Sequence, residues 1–330
     1  MQHSNYHGSL QQPLGSGFTA KSTSGEVIRG IDLRGKTVIV TGGNTGIGLE
    51  TTRTLASAGA TVIVAARDLE KAKRNLEGIE RVELESLDLM DPASIDAFAG
   101  RFTRSGRPLD ILVNNAGIMW VPLRRDSRGI ESQFATNYLA VFQLTAMLWP
   151  ALLRAKGARV VNVSSQGHQF GPLDLDDPNF LHRDYETLLA YGQSKTALNL
   201  FSMEMDARAA TSQVRVYSLH PGSIKGTELA RDAAPELFRS MGLVDAEGKL
   251  LPEVEATLKT IPQGAATTVW CATSPQLKDI GGVYCSDCEI AQLVADTGMS
   301  DGVRASSLNP DDARRLWKLS EQLTGIRFTL

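Results

Sequence analysis

The sequence holds only 3 cysteines in 330 residues, too few for a disulfide framework, which excludes the small stapled folds of secreted domains. It has no excess of either charge. The 34 basic and 37 acidic side chains leave a formal net charge of −3, which argues against a general nucleic-acid binder. It has no long apolar run either. The most apolar stretch, Tyr138 to Leu153, contains Gln143 and Thr145 and is interrupted by Pro150, and it falls short of the ~20 residues that span a bilayer. Residues 1–32 carry His3, His7 and several Gly and Ser without the apolar core of a signal peptide, and they read as a loosely draped arm. These absences leave an ordinary globular chain, with a reducing, cytoplasmic setting as the expectation.

What is present is a regular alternation. Thr37–Val40, Ala60–Ala66, Val82–Leu87, Leu109–Val113, Arg159–Val163, Val214–Leu219 and Gly282–Cys285 have strand character. Helical patterns lie between them: one from the glycine cluster to Gly59, Asp68–Ile79, one opening at Asp91-Pro92, Ile130–Ala155, Thr187–Ala209 and Gly264–Thr273. Such alternation implies an α/β fold, a doubly wound parallel sheet of about seven strands with helices on both faces. No repeat and no Pro- or Ser-rich linker divides the chain, so residues 33–290 read as a single domain. Residues 291–330 read as a tail, with a short helix Pro310–Thr324 capped by Asn309. Residues 167–186 and 227–262 stand outside the alternation and follow strand carboxyl ends, where open α/β sheets bind ligands.

The first strand runs into Thr41-Gly42-Gly43-Asn44-Thr45-Gly46-Ile47-Gly48, and a helix follows. A pyrophosphate site needs this arrangement: a tight turn, close backbone approach, and free N–H groups at a helix N-terminus. The second strand ends Val64-Ala65-Ala66-Arg67-Asp68. No acid stands at Ala66 to bond a ribose 2′-hydroxyl, and Arg67 could hold a 2′-phosphate, so NADP(H) is expected over NAD(H). Arg67 as a plain surface arginine is the competing reading, and Asp68 suits the N-cap of the next helix.

Tyr191 and Lys195 stand four residues apart on the long helix and so share a face. A phenol is a poor acid–base group near neutrality, and an adjacent ammonium lowers its pKa.

The chain resembles the short-chain dehydrogenase/reductase family over about residues 33–290. Six motifs carry the resemblance in the family's order: the turn Thr41–Gly48, Leu87-Asp88-Leu89, Asn114-Asn115-Ala116-Gly117, Asn137, the group Ser165, Tyr191 and Lys195, and Pro221-Gly222. Asn44–Gly48, Arg67-Asp68, Val161–Ser165 and His220–Gly222 look most like the retinol-dehydrogenase-type branch. The resemblance implies cofactor contacts from Gly42, Asn44, Thr45, Gly46, Ile47, Gly48, Arg67, Asp88, Leu89, Asn115, Ala116, Gly117, Tyr191, Lys195, Pro221, Gly222 and Ile224. It implies Tyr191 as proton donor or acceptor and Lys195 on the nicotinamide ribose and lowering the tyrosine pKa. Ser165, rather than Ser164, would hold the substrate oxygen, and Asn137 a relay water. The interval of 26 positions from Ser165 to Tyr191 is about twice the family's usual separation and makes 167–186 an inserted loop.

The function so implied is NADP(H)-dependent hydride transfer between nicotinamide and an apolar alcohol, ketone or aldehyde. The alternatives are reduction of an enone or other C=C bond, and a non-catalytic NADP(H) sensor. Family members often pair through the helices corresponding to Ile130–Ala155 and Thr187–Ala209, which implies a homodimer or homotetramer.

Other features read as less informative. Cys285-x-x-Cys288 lacks further ligands and reads as ordinary thiols, with no metal expected. His168 and His182 read as solvated, and Arg124, Arg125 and Arg128 as an exposed face. Leu237, Phe238, Met241, Leu243 and Val244 form an apolar patch that suits either a substrate lid over residues 227–262 or a packed subdomain.

Overall fold

The computed structural model describes residues 3–330. The β-branched runs Thr37–Thr41 (β1), Thr61–Ala66 (β2), Val82–Ser86 (β3), Ile111–Asn114 (β4), Arg159–Val163 (β5), Arg215–His220 (β6) and Val283–Ser286 (β7) pair in parallel. Glu289–Ile290 (β8) folds back antiparallel on β7, completing eight strands in the order β8-β7-β6-β5-β4-β1-β2-β3. The chain winds outward in both directions from β1 and β4, and the crevice at their carboxyl ends is the ligand position of such sheets.

The main helices are Gly46–Ser57 (α1), Leu69–Asn75 (α2), Pro92–Arg104 (α3), Ala140–Arg154 (α4), Thr187–Arg208 (α5), Ile261–Thr273 (α6) and Pro310–Thr324 (α7). Successive strand residues point to opposite faces, so each strand feeds two cores. Ile39, Ile63, Leu112, Val160 and Val216 pack under α3, α4, α5 and α7. Val38, Val40, Val62, Val64, Val161 and Leu219 pack under α1 and α6. Local chemistry places the helix starts. Asp91 accepts from the Ala93 amide ahead of Pro92, and Asn309 accepts from Asp311 and Asp312 ahead of Pro310.

Four expectations need correction. The N-terminal arm is bonded to the body rather than draped. His3–Ser4 pairs with Ile280–Gly281, and the buried Gln11 donates from Nε2 to the carbonyls of Tyr284 at 2.6 Å and Ala291 at 2.7 Å. Asn5 donates to Gln11 Oε1 and to Gly282 O. Side-chain amides here supply the partners that strand backbone at the sheet margin would otherwise lack. Second, the segment Ile130–Ala155, expected to be mostly helix, is helical from Ser132 to Arg154 but irregular within that span. A wide turn at Ala135–Leu139 precedes α4, and Asn137 lies in it.

Third, the helix expected over Asp68–Ile79 is shorter: α2 ends at Asn75 with Leu76 as its C-cap, before Gly78 at φ +78°. Fourth, Arg125 and Arg128 are not a free surface. Arg125 donates to the carbonyls of Asn179 and Phe180 in the inserted loop, and Arg128 pairs with the buried Asp126 at 2.7 Å.

The C-terminal segment also joins the body. Trp317 of α7 stacks on Phe328 at 5.1 Å and Phe201 at 6.0 Å, with Phe142 edge-on at 5.3 Å. Arg208 lies over the same indole at 4.4 Å. Thus α7 covers the outer faces of α4 and α5, the faces expected to meet a second copy.

Candidate active site

The glycine turn shows why small residues stand where they do. Gly42 has φ +63°, and a side chain there would come within 3.2 Å of the Ala116 Cα. A Cβ at Gly48 would sit 2.3 Å from Gly42 O and 2.5 Å from Asn115 Nδ2, so α1 can approach the turn only with glycine. At Gly46, by contrast, a Cβ would enter space whose nearest neighbour is the Thr227 methyl at 3.6 Å. Thr45, the residue preceding α1, makes no side-chain capping bond, which leaves the first amides of the helix directed at that space. A glycine-lined cradle beneath uncapped helix amides fits a pyrophosphate.

The loop after β4 braces the turn. Asn115 donates from its amide to Thr41 Oγ1 at 3.0 Å and from Nδ2 to the carbonyls of Thr41 and Gly42, and the Ala116 amide also reaches Thr41 Oγ1. Asn44 O accepts from Asn75 on α2. Ile47 and Ile224 meet over Gly264 of α6, where a Cβ would lie 2.9 and 2.6 Å from them. On the second strand Ala66 is buried, Arg67 is exposed without a side-chain partner among the described residues, and Asp68 caps α2 through the Lys71 amide. Leu89 is buried, and the Asp88 carboxylate accepts from the Met90 amide within its own turn.

The four residues expected to do chemistry fall into two groups. Ser165, Tyr191 and Lys195 converge at the end of β5. The Ser165 side chain hydrogen-bonds the Tyr191 phenol and accepts from the Gly167 amide at 2.9 Å. Ser164 instead turns inward and donates to Lys195 O, which separates the two neighbouring serines by role. Gly167 backs the phenol closely, since a Cβ there would lie 2.6 Å from Tyr191 Cε1.

Asn137 stands behind them with its side chain fully engaged. It accepts from the Ile118 amide at 2.9 Å and donates to Ile118 O and Ser194 Oγ, each at 3.0 Å. Only its backbone, in the widened turn, is left to hold a water. A Cβ at Gly117 would lie 3.0 Å from Asn137 Oδ1, which ties the Asn115–Gly117 loop to this residue.

Electrostatics depart from the expected direction. Burial pushes the Tyr191 phenol up to about 12, although the Ser165 bond pulls the other way. Burial also draws the Lys195 ammonium down to about 7. Lys195 Nζ donates to Val163 O at 2.8 Å and lies 5.6 Å from the Tyr191 ring centroid. In the chain alone desolvation outweighs their mutual effect, because a lysine that sheds its proton near neutrality offers little charge to stabilise a phenolate.

Several contributors gave no sequence signal. His168 is buried rather than solvated. Its Nε2 accepts from the Arg304 amide at 3.3 Å, which leaves Nδ1 protonated and donating to Ser165 O at 2.7 Å. His220, half-buried, lies beside it and accepts at Nδ1 from the Gln166 amide. Beneath Gly222 (φ +92°) the chain of Lys259 fills the space a side chain would need, and its Nζ bonds Asp287 at 2.5 Å. Lys259 also brackets Ile224 through backbone pairing. The segment between them, 227–258, projects from this stem with helices Pro235–Ser240 and Pro252–Thr257, neither of which buries a residue. Glu228 of this segment pairs with Lys71 at 2.7 Å, Glu255 pairs with Lys225, and Phe238 packs edge-on against Trp120 at 5.5 Å. Trp120 in turn lies 6.4 Å from Phe170 of the inserted loop.

The cysteines lie buried and unpaired. Burial lifts the Cys288 thiol to about 12 and the Cys285 thiol well above its ordinary value.

Comparison with known proteins adds identity to this geometry. Residues 36–237 match the model of a family described as short chain dehydrogenase. A Streptomyces lividans protein named a probable oxidoreductase is 43% identical over 296 residues, covering 87% of this chain and 97% of its own. Human retinol dehydrogenase 11 is 36% identical over 313 residues, covering 92% and 90%. Among solved structures, an uncharacterized protein from Mycobacterium paratuberculosis superposes with a TM-score of 0.70 at 33% identity, covering 95% of this chain and 99% of that one. The Pseudomonas aeruginosa RhlG/NADP active-site complex matches with a TM-score of 0.57 at 25% identity, covering 77% and 95%.

Proposed function

This chain belongs to the short-chain dehydrogenase/reductase family, on its retinol-dehydrogenase-like side, and from that premise we propose that it is an NADP(H)-dependent oxidoreductase interconverting an apolar alcohol and its ketone or aldehyde. The observation that carries the reading is the convergence of Ser165, Tyr191 and Lys195 at one strand end, beside a glycine cradle with uncapped helix amides.

The nicotinamide, when bound, supplies the hydride chemistry. The turn Gly42–Gly48 would hold its pyrophosphate, the loop Asn115–Gly117 would line its adenosine side, and Pro221, Gly222 and Ile224 would flank the nicotinamide side. The exposed, unpaired Arg67 would hold the 2′-phosphate through a charge-assisted contact, and Ala66 offers no carboxylate to repel it.

Each reacting group has one task. Tyr191 remains a protonated phenol at neutral pH, so in reduction it can donate to a carbonyl oxygen as negative charge develops there. Ser165, fixed by the Gly167 amide and bonded to the phenol, would donate to the same oxygen and so place it against Tyr191. Lys195 would hold the nicotinamide ribose, and its loosely held proton makes it the reserve from which the phenol could be reprotonated, with the backbone of Asn137 left free to seat a water nearby. The substrate body would meet Trp120, Phe170 and Phe238, an aromatic wall that excludes water and selects apolar molecules.

Residues 227–262 fit a lid hinged at the Ile224–Lys259 stem. No helix among the described residues is long and apolar enough to cross a membrane, which accords with a cytoplasmic enzyme. Because α7 covers the α4–α5 face, the expected homodimer or homotetramer would pair there only with α7 displaced, or else through another face.

The test is nicotinamide absorbance at 340 nm with apolar ketones, aldehydes and enones. Reduction of a carbonyl with NADPH preferred over NADH is the expected result. Turnover confined to enones, or a preference for NADH, would overturn the corresponding part of the reading.

A further inference from the structure

Trp120 stands out on three independent counts. Its backbone has φ +58°, a conformation that costs a bulky side chain on the order of 1–3 kcal/mol and persists only where the surroundings impose it. The imposing contact is visible: the Trp120 amide donates to Gln133 Oε1 at 2.9 Å, and Gln133 is itself held by Tyr185 and Thr187 at the start of α5. Second, the indole is 8% exposed, yet its Nε1–H has no acceptor among the described residues. A buried donor without a partner carries a desolvation cost that a bonded one does not. Third, its ring neighbours are Phe170 and Phe238, from the inserted loop and the lid-like segment, the two parts of the chain that stand outside the α/β alternation. Phe170 lies on the same glycine, Gly167, as the Tyr191 ring.

Resting on the oxidoreductase reading above, we propose that Trp120 is a specificity-determining residue whose Nε1–H donates to a hydrogen-bond acceptor on the body of the substrate, at a distance from the carbonyl that is reduced. The substrate class is therefore narrower than apolar carbonyls. It is a carbonyl compound with an aromatic or flat apolar body that also carries an ether, ester, second carbonyl or ring-nitrogen acceptor. Entry of that body displaces Phe238 from the indole, and the acceptor takes up the donor that the protein leaves unmatched. Phe170 and the displaced Phe238 then cover the two faces of the body.

The experiment compares near-isosteric ketones with and without the acceptor: 3′- and 4′-methoxyacetophenone against 3′- and 4′-ethylacetophenone. Both the wild-type chain and Trp120→Phe are assayed with NADPH and NADH. Trp120→Phe keeps a ring and removes the N–H. Wild type should show a kcat/KM about 3- to 10-fold higher for at least one methoxy ketone than for its ethyl partner, the range of one hydrogen bond. In Trp120→Phe that ratio should collapse to near one, whatever the smaller ring does to the absolute rates for both ketones. A ratio near one in wild type, or a ratio unchanged in Trp120→Phe, overturns the proposal and leaves the oxidoreductase reading standing. Reduction of none of the four ketones by wild type would remove the carbonyl reading and this proposal with it. Where Trp120→Phe does not fold, the wild-type ratio and the indole 15N–1H spectrum decide. One of the four indole N–H resonances must move downfield with the methoxy ketone and not with the ethyl ketone.

Discussion

Lys195 lies 5.6 Å from the centre of the Tyr191 ring, yet its Nζ donates to the Val163 carbonyl rather than to the phenol. The pair is therefore poised rather than coupled in the chain alone. Tyr191 holds its proton tightly, and Lys195 holds its own loosely, with burial as the leading cause of both shifts.

Coenzyme choice is tested at Arg67. Its exposure and lack of a partner leave the guanidinium available. Arg67→Ala should reduce NADPH efficiency roughly 10- to 100-fold, the range of a charge-assisted hydrogen bond, and leave NADH within about 2-fold. Steady-state kinetics with both coenzymes checks this, and equal losses with both would assign Arg67 a structural role.

The glycine turn makes a sharper structural prediction. Gly48→Ala drives a Cβ to 2.3 Å from Gly42 O, where backbone must move. Overpacking of this kind costs about 1–3 kcal/mol, and it should abolish nucleotide binding in a fluorescence titration. Gly43→Ala would crowd the buried Thr52 hydroxyl at 2.6 Å, which donates to Gly43 O, and Val40 at 3.1 Å; because these are side-chain rather than backbone atoms, it should weaken binding less than Gly48→Ala.

Stability should fall on the acid side. His168 is held down to about 4 and His220 to about 3, in each case first by burial. Between about pH 4 and 6.5 the unfolded chain binds protons at these two positions and the native chain does not, so stability rises with pH across that window. Each proton is worth about 1.4 kcal/mol per pH unit, so the two together give a slope of up to about 2.7 kcal/mol per unit. Urea midpoints from pH 4.5 to 7 measure it. Asp206, raised by burial to about 6, binds its proton in the native chain over the lower part of this window and opposes the histidines; His168→Gln should therefore lower the net slope, and an unchanged slope would exclude His168 as a contributor.

The C-terminal helix is testable by size. Trp317→Ala removes a buried indole and should cost about 3–5 kcal/mol. It should also loosen α7 from the α4–α5 face, so the variant should self-associate through that face more than wild type at the same concentration, as sedimentation would show. A wild-type dimer stable at micromolar protein would show that pairing uses another face or tolerates α7.

Much of this molecule was legible in the sequence because its signals are local. The strand-turn-helix around Gly42, Gly46 and Gly48 and the four-residue spacing of Tyr191 and Lys195 depend on neighbours in the chain, and so do the caps Asp91 and Asn309. What was not legible is contact across distance. His168 meets the Arg304 amide 136 residues on, Gln11 meets Tyr284 273 residues on, and Lys259 reaches Asp287 under Gly222. No periodicity announces such pairs, which is why His168 read as solvated and residues 3–32 as loose. The direction of the Tyr191 shift was missed for a related reason. Residue identity tells of the neighbouring ammonium, but the balance is set by burial, a property of the folded whole.

The central claim is that Tyr191 is the acid–base group of a nicotinamide-dependent reduction. It is tested most directly by Tyr191→Phe beside wild type, measuring NADPH binding by fluorescence and carbonyl-dependent NADPH oxidation at 340 nm. The account predicts an NADPH Kd within about 2-fold of wild type and a kcat lower by roughly 10²- to 10⁴-fold, the span of positioned acid–base catalysis. Undiminished turnover in Tyr191→Phe, with NADPH still bound, would contradict it.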